Sequence, residues 1–461
     1  MSAACARYEP RPIDPATTAQ AFAARRLDAP ELREAVRDVA PQLAANWPPP
    51  SWSRADLLAA ALVQNSKLAL ARAQTQAAWA RQVGAGATPN PDLNLQSEYA
   101  RDETRPWLYG IAFDFALRTP SRRRLDIDVA RLATTSARWQ LVEQTWGVRR
   151  ALVDALGEGE LARRRVETLD RLLQLQRQWL SAQQRRVELG AEAPGTLANL
   201  RMAVLELEQQ RAEAGRDAAG AQAALAAVLG LPAQALDDVQ VDWSDWGTPP
   251  EAAAAGEAGE RALLARADLA AAIADYAGAE KQLERAVARQ YPQFHLRPGY
   301  YWDHGIAKWP LDVGFELPLF QRNEGEIADA RAAREVAGQR LLAVQAGIQG
   351  EIEAARRADA AAVTNVNAAQ RRLDEARRQA QHAEFGLGLG AIDRAERLGA
   401  QTLAVRAELD LLQARAQAQL ARNALEDALR EPLSGPELAL QSALHRDAPA
   451  TNSASTDGDR P

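Results

Sequence analysis

Residue types that do covalent or metal chemistry are scarce in this chain and poorly spaced for it. There is one cysteine, Cys5, and a lone thiol forms neither an internal disulfide nor a Cys-rich metal site. The four histidines are His295, His304, His382 and His445, and none stands at HExxH or HxH spacing, so no zinc site is expected. His295 and His304 fall near one hairpin and are read as incidental. No Walker A loop, no GxGxxG after a strand and no GxSxG elbow occurs. No catalytic residue, metal or cofactor is therefore expected. The polar residues left to consider are carboxylates in two kinds of place: glycine-containing turns, and alternate positions of short extended segments.

The elements that hold those carboxylates can be read from composition and punctuation. The chain has 461 residues, 47% hydrophobic and 25% charged, so as a whole it is not disordered. Its net charge is -6, which argues against a nucleic-acid binder, since such a protein carries a basic stripe. Mean hydropathy is -0.35, and no apolar run reaches the ~18 residues of a membrane-crossing helix. Alanine, a strong helix former, is abundant. Proline breaks helices, and none occurs between Pro120 and Pro194 or between Pro318 and Pro432. Leu161, Val166, Leu169, Leu172 and Leu173 recur at helical spacing in the first stretch, and Leu403, Leu409, Leu412, Leu420 and Leu425 in the second. A helix over 121–189 would run on the order of 100 Å at ~1.5 Å per residue. The heptads are irregular and Ala-rich, which suits helices packed side by side in a wall.

Shifted by about 200 residues, the chain falls on itself. Pro91-Asp-Leu-Asn-Leu95 matches Pro292-Gln-Phe-His-Leu296, and Ile111 to Leu117 matches Leu311 to Leu317. Leu189-Gly-Ala191 matches Leu389-Gly-Ala391, and Leu225, Leu229 and Pro232 match Leu425, Leu429 and Pro432. The expected organisation is an N-terminal extension (1–50), a first repeat (51–232), a linker (233–262), a second repeat (263–432) and a largely disordered tail (433–461). The first repeat holds a hairpin at about 91–117 and helices over 121–189 and 196–229. The second holds a hairpin at about 292–319 and helices over 325–385 and 392–429. Gly190, Gly195, Gly386, Gly388 and Gly390 let the backbone turn between the paired helices.

The extended segments alternate with period two. From Trp107 the odd positions are Trp107, Tyr109, Ile111, Phe113, Phe115 and Leu117, and the even ones include Gly110, Ala112 and Asp114. The second copy sets Trp309, Leu311, Val313, Phe315 and Leu317 against Asp312, Gly314 and Glu316. Strands of ~9–11 residues with aromatic girdles fit a transmembrane β-barrel. Trp107, Tyr109, Phe113, Phe115, Trp309 and Phe315 are then lipid-facing, and Asp114, Asp312 and Glu316 face the lumen. Four strands cannot close a barrel, and an open edge in lipid is forbidden, so several chains must share one. Three chains would supply twelve strands. The competing reading is two hairpins on a soluble helical core.

These features resemble the TolC-like outer-membrane efflux family, over roughly residues 50–432. The resemblance rests on Arg266-Ala-Asp-Leu-Ala-Ala-Ala272 followed by Tyr291-Pro-Gln-Phe294, on Pro318-Leu-Phe-Gln-Arg-Asn-Glu-Gly-Glu-Ile327, and on Asn90-Pro-Asp-Leu93. The last two look most like the cobalt-zinc-cadmium, heavy-metal branch. The resemblance implies a mainly α fold with a small β part: a homotrimer with a 12-stranded β-barrel in the outer membrane of a Gram-negative bacterium and a 12-helix α-barrel tunnel in the periplasm. It implies a passive export duct, not an enzyme, working with a periplasmic adaptor and an inner-membrane RND-type transporter. Cargo would be divalent heavy-metal cations or small toxic compounds, chosen upstream by the transporter. The alternatives are a duct for type I protein secretion and a soluble coiled-coil scaffold. In the family, acidic residues at the second helical turn ring and close the lumen. Asp393 and Glu396 are the matching candidates, with Arg394 and Arg397 as clasp partners and Gly190, Gly388 and Gly390 at the periplasmic tip. Gly399 and Asn199 stand where family members often have Asp.

Ser2-Ala-Ala-Cys5 resembles the tail of a lipoprotein cleavage box. Cys5 is therefore expected to be lipidated on a longer precursor, and an in-frame upstream start followed by an apolar run would support this.

Overall fold

The computed structural model describes residues 7–102, 104–246, 265–315, 317 and 319–449. Cys5, Glu316, Pro318, the linker beyond 246 and the tail from 450 lie outside the described residues. The chain divides into two compact units. The first comprises 1–69, 144–262 and 349–446, and the second 70–143, 263–348 and 447–461.

The second unit holds the sheet. The strands are β1 (Asp92–Tyr99), β2 (Trp107–Leu117), β3 (Phe294–Asp303), β4 (Ile306–Lys308) and β5 (Leu311–Phe315). All neighbours are antiparallel, in the order β1-β2-β3, with β4 and β5 both on the far side of β3. β4 and β5 are one strand in effect. Tyr301 faces Lys308, and three residues back Pro298 faces Leu311, so a single register passes through the break at Trp309 and Pro310. Prolines lack the N–H a ladder needs. Pro310 interrupts one side of β3, and Pro298 accounts for the gap in β2–β3 pairing between Ala112 and Phe115. Asp303, His304, Gly305 and Ile306 form a two-residue hairpin turn, with φ of 47° at His304 and 100° at Gly305, as a type I′ turn requires. The outer edges of β1 and of β4–β5 have no strand partner among the described residues.

The helices of the paired repeats are α6 (Pro120–Glu188) with α7 (Thr196–Leu229), and, numbered in chain order, α9 (Glu324–Gly388) with α10 (Arg394–Leu429). α5 (Ser66–Ala85) leads into β1 and α8 (Ala267–Ala288) into β3. In the first unit α6 buries Leu169, Leu172 and Leu173 against Val204, Leu207 and Ala214 of α7. α9 buries Ala362, Val366, Ala369, Leu373 and Ala376 against Ala407, Leu411 and Ala418 of α10. The α9 positions step by four and three, the 3.5-residue period of a coiled-coil seam, so the heptad is regular here and hidden by alanine at three of five positions. Both repeats end on a left-handed residue, Gly230 and Arg430, with φ of 69° and 51°.

α4 (Arg54–Gln64), α6, α10 and the segment after it meet at one buried ion cluster in the first unit. α4, whose start is held by a Ser53–Asp56 capping box, supplies Arg54. α6 supplies Arg149, which is 1% exposed. Glu437, wholly buried, lies 3.1 Å from Arg54 Nε and accepts from Arg149 Nε at 2.7 Å. Arg149 also donates to Glu426 of α10, whose other carboxylate oxygen accepts the Leu433 N–H at 2.9 Å. Burial works against the Arg149 charge, and the two carboxylates outweigh it and raise its pKa. Leu440 and Leu444 of the same segment are buried as well. This corrects the expectation of a disordered tail from 433. Residues 433–446 are ordered because Glu437 meets two guanidinium groups, from positions 54 and 149.

His445 sits on the same segment, 5.8 Å from the Trp146 ring. Burial holds its imidazole below the ordinary 6.5. As pH falls through 6.5 the unfolded chain takes up a proton that the half-buried ring binds less readily. This group's contribution is therefore full above 6.5 and declines as pH drops toward the lowered value. His445→Gln is expected to flatten the loss of thermal stability between pH 7 and pH 5, read from melting curves across that range.

The N-terminal extension is helical: α1 (Pro15–Ala23), α2 (Pro30–Val39) and α3 (Pro41–Ala44). Leu27, Leu32, Val36, Ala40 and Trp47 are buried, whereas α1 buries nothing.

Candidate functional site

The sheet has two faces of opposite character, and the register assigns each residue. Leu95, Ile111 and Tyr300 share a row, as do Tyr109, Trp302 and Ala307, and Leu117, Phe294 and Phe315. Followed along every strand, this face is apolar throughout, apart from Ser97. It carries all six sequence-predicted lipid-facing residues. Trp107, Tyr109, Phe113, Phe115 and Phe315 are 39–50% exposed, and Trp309 more so. Tyr and Trp cluster toward the hairpin turns, with Tyr99–Trp107 ring centroids at 4.9 Å and Tyr300–Trp309 at 4.7 Å. Phe113, Phe115, Phe294 and Phe315 lie toward the helices. Aromatics with a polar tip gathered at one end of an apolar face are the arrangement found at a membrane–water boundary.

The opposite face carries Asp92, Asn94, Gln96, Glu98, Asp114, His295, Arg297 and Asp312. Arg297 Nε donates to Asp114 at 2.7 Å, and His295 Nδ1 lies 2.9 Å from the other Asp114 oxygen. Asp312 is in register with Arg297. Two of the sequence-predicted lumen residues, Asp114 and Asp312, therefore share this polar face, and Glu316 lies outside the described residues. Tyr301 covers Gly110 here. A Cβ at Gly110 would come within 2.3 Å of the Tyr301 ring, so only glycine fits.

The two helical turns of the first unit are built alike. Gly190 and Gly390 have φ of 72° and 71°, which glycine adopts without a Cβ clash. The Ala191 N–H donates to Arg186 O and the Ala391 N–H to Gly386 O, both at 2.8 Å. Gly388 is the last residue of α9, so the turning glycine is Gly390. Leu189 and Leu389 stand 83% and 85% exposed at the two turns. Asp393 caps α10: its side chain accepts from the Ala395 and Glu396 N–H groups at 2.8 and 2.9 Å, and Glu396 completes the capping box. Asp393 also accepts from Arg186 at 2.6 Å. Arg397 pairs with Glu384 at 3.2 Å. Arg394 is exposed and lines a shallow cavity with Asp170, Arg177 and Arg185. The structure thus brings Asp393 and Glu396 together as a cap, and pairs Asp393 and Arg397 with Arg186 and Glu384, which sequence reasoning missed.

Comparison with known proteins bears on the whole arrangement. The outer membrane efflux protein family matches residues 258–429, the second repeat. No curated protein sequence matches the chain. Among solved structures, CusC superposes with a TM-score of 0.67 at 19% identity, over 82% of this chain and 91% of CusC. The outer membrane protein VceC of Vibrio cholerae gives 0.67 at 19% identity, over 88% of this chain and 100% of its own. The open-state MtrE outer membrane channel of Neisseria gonorrhoeae gives 0.66 at 15% identity, over 83% and 89%. The fold is that of an outer-membrane channel protein. Among the described residues, the sheet presents a continuous and exposed apolar face. No helix among the described residues is long and apolar enough to cross a membrane, and no group of three or more candidate metal ligands occurs among them.

Proposed function

We propose that this chain is the outer-membrane channel of a tripartite efflux pump, a passive duct from the periplasm to the exterior. One observation carries the reading. The antiparallel sheet has one apolar face, one polar face and two unpaired edges. In lipid those edges must be paired, and three copies joined β1 to β4–β5 close twelve antiparallel strands with no edge left. The polar face then lines the lumen, with Asp114, Arg297 and Asp312 at one height. In this reading the long helix pairs lie in the periplasm, and the exposed Leu189 and Leu389 turns suit a helical adaptor bound to an RND-type transporter. The duct does no chemistry of its own. Cargo of divalent heavy metals or small toxic compounds follows from the resemblance of Pro318 to Ile327 and of Asn90 to Leu93 to the heavy-metal branch. Lipidation of Cys5 remains part of this reading.

The tip is the gate in this proposal, and Arg186–Asp393 and Arg397–Glu384 are its latches. Exposed pairs of this kind are worth about 1 kcal/mol or less each, weak enough to open on partner binding. Buried polar atoms without a protein partner at Gln176, Trp179 and Gln183, on the same stretch of α6, suit a packing with a second arrangement. Asp393→Asn keeps a good N-cap while removing the charge. It is expected to leave the melting temperature unchanged and to raise single-channel conductance in planar bilayers, and adding Arg397→Ala to raise it further. Unchanged conductance in both variants would remove the tip from the gating account. Absence of any conductance from the wild-type protein would remove the duct.

A further inference from the structure

Gly399 lies in the second turn of α10, and glycine weakens a helix interior unless packing requires it. Here the requirement is visible. A Cβ at Gly399 would stand 3.4, 3.7 and 3.8 Å from Cζ2, Cε2 and Cη2 of Trp179 on α6. The indole therefore sits against the bare face of the glycine, with room for a methyl group and little more. Ala182 of α6 and Ala395 and Leu398 of α10 are buried beside it, and Trp179 packs on them as the largest apolar group of the contact. The indole N–H is buried without a protein partner, where a buried tryptophan ordinarily has one. Shape alone holds the ring, and leaving the seat would give its N–H to water.

The internal repeat singles this pair out. At the 200-residue shift Gly190 falls on Gly390, and the two turns share one conformation. By the same shift Trp179 falls on Gln379 and Gly399 on Asn199, both exposed. The turns are thus built alike, whereas the second copy has neither the ring nor the glycine. Other contacts between α6 and α10 are ionic and exposed, Arg186 with Asp393 at 2.6 Å and Arg171 with Glu408 at 2.9 Å. Salt weakens pairs of that kind and leaves apolar contact in place.

We propose that Trp179 is the uncharged latch of the tip: seated on Gly399, its ring holds α10 against α6, and the tip opens when the ring leaves that seat. This rests on reading the tip as the gate of the duct. It also gives Gly399, which stands where the resemblance implies an acid, a role of its own. Closure at this level is by apolar contact and not by a carboxylate.

The test follows alkylation by N-ethylmaleimide at position 182 of the full chain carrying Ala182→Cys, in detergent, read by peptide mass spectrometry so that Cys5 does not count. Position 182 is buried in the contact, so its alkylation reports how often α10 lifts from α6. Adding Trp179→Ala is expected to speed alkylation about tenfold or more, and Gly399→Val to do the same, with Gly399→Ala well below both. At 1 M sodium chloride, where charges are screened beyond about 3 Å, alkylation of the chain with Trp179 in place is expected to stay slow. Leu207→Ala, which loosens the α6–α7 contact, is expected to lower the melting temperature while leaving alkylation within about twofold. Slow alkylation in Trp179→Ala, equal rates for Gly399→Ala and Gly399→Val, or a rise from salt or Leu207→Ala as large as that from Trp179→Ala would each overturn the latch. In planar bilayers, conductance is expected to rise in the variants that alkylate faster. Faster alkylation beside an unchanged wild-type conductance would overturn the part of the seat in gating. Faster alkylation with no conductance from any chain, wild type included, would contradict the duct while supporting the seat.

Discussion

Replacing Arg149 by Ala is expected to destabilise the protein by about 3–5 kcal/mol, the cost of leaving buried carboxylates without their partner. Glu426 and Glu437 lose a guanidinium in a site with almost no solvent, and Leu433 and the 433–446 segment lose their anchor. The control is Arg171→Ala. Arg171 donates to Glu408 at 2.9 Å but is half-exposed, so its loss is expected to cost less than about 1 kcal/mol. Arg149→Met combined with Glu426→Gln is expected to be less harmful than Arg149→Ala alone. It removes one ion pair and leaves Glu437 with its Arg54 partner, so no charge is stranded. Denaturant unfolding followed by tryptophan fluorescence separates these variants, because Trp146 lies against Arg149, 5.4 Å from its guanidinium carbon. Equal losses for Arg149→Ala and Arg171→Ala would show that the cluster does not hold the C-terminal segment.

The second large effect contrasts neighbours on one strand. Leu95 and Gln96 are adjacent in β1 and point to opposite faces, Leu95 toward the apolar one beside Ile111 and Gln96 beside Gly110. Leu95 is 74% exposed in the single chain, so in water an arginine there would cost almost nothing. Mid-barrel in lipid it costs about 2–4 kcal/mol per site. Leu95→Arg is therefore expected to reduce the folded fraction recovered in lipid vesicles, read as the heat-modifiable band on gels, while Gln96→Arg folds like wild type. Equal tolerance of both would mean that this face does not meet lipid.

The contrast also shows what was legible from residues alone. Alternation in β1, β2 and the second hairpin states which side chains share a face, because the period of a strand is two. Long proline-free stretches place α6, α9 and α10 to within a few residues, because proline breaks a helix interior. The repeat then doubles each argument, and Gly190 and Gly390 turn out to adopt one conformation. The ion cluster was not legible. Arg54, Arg149, Glu426 and Glu437 belong to no local pattern, and the short segment around Glu437, rich in Pro, Ser and Gly, reads as tail until partners hundreds of residues away are known. At the tip a signal was present and read for another role. Asp393-x-x-Glu396 is a capping-box spacing, and the sequence reading took the two acids for a lumen ring. Capping explains why both stand there without excluding the Arg186 latch. The break at Pro310 was visible as a proline, but only the register shows that the strand resumes in phase beyond it.

The central claim is that three copies close one barrel in the outer membrane. Its most direct test is fractionation of the native host, then detergent extraction and native mass spectrometry of the full chain. The account predicts an outer-membrane species of about 150 kDa, three chains of 50.0 kDa each apart from any lipid. A monomer or dimer in the soluble fraction would contradict it, and the exposed apolar face of the sheet would then need a different partner.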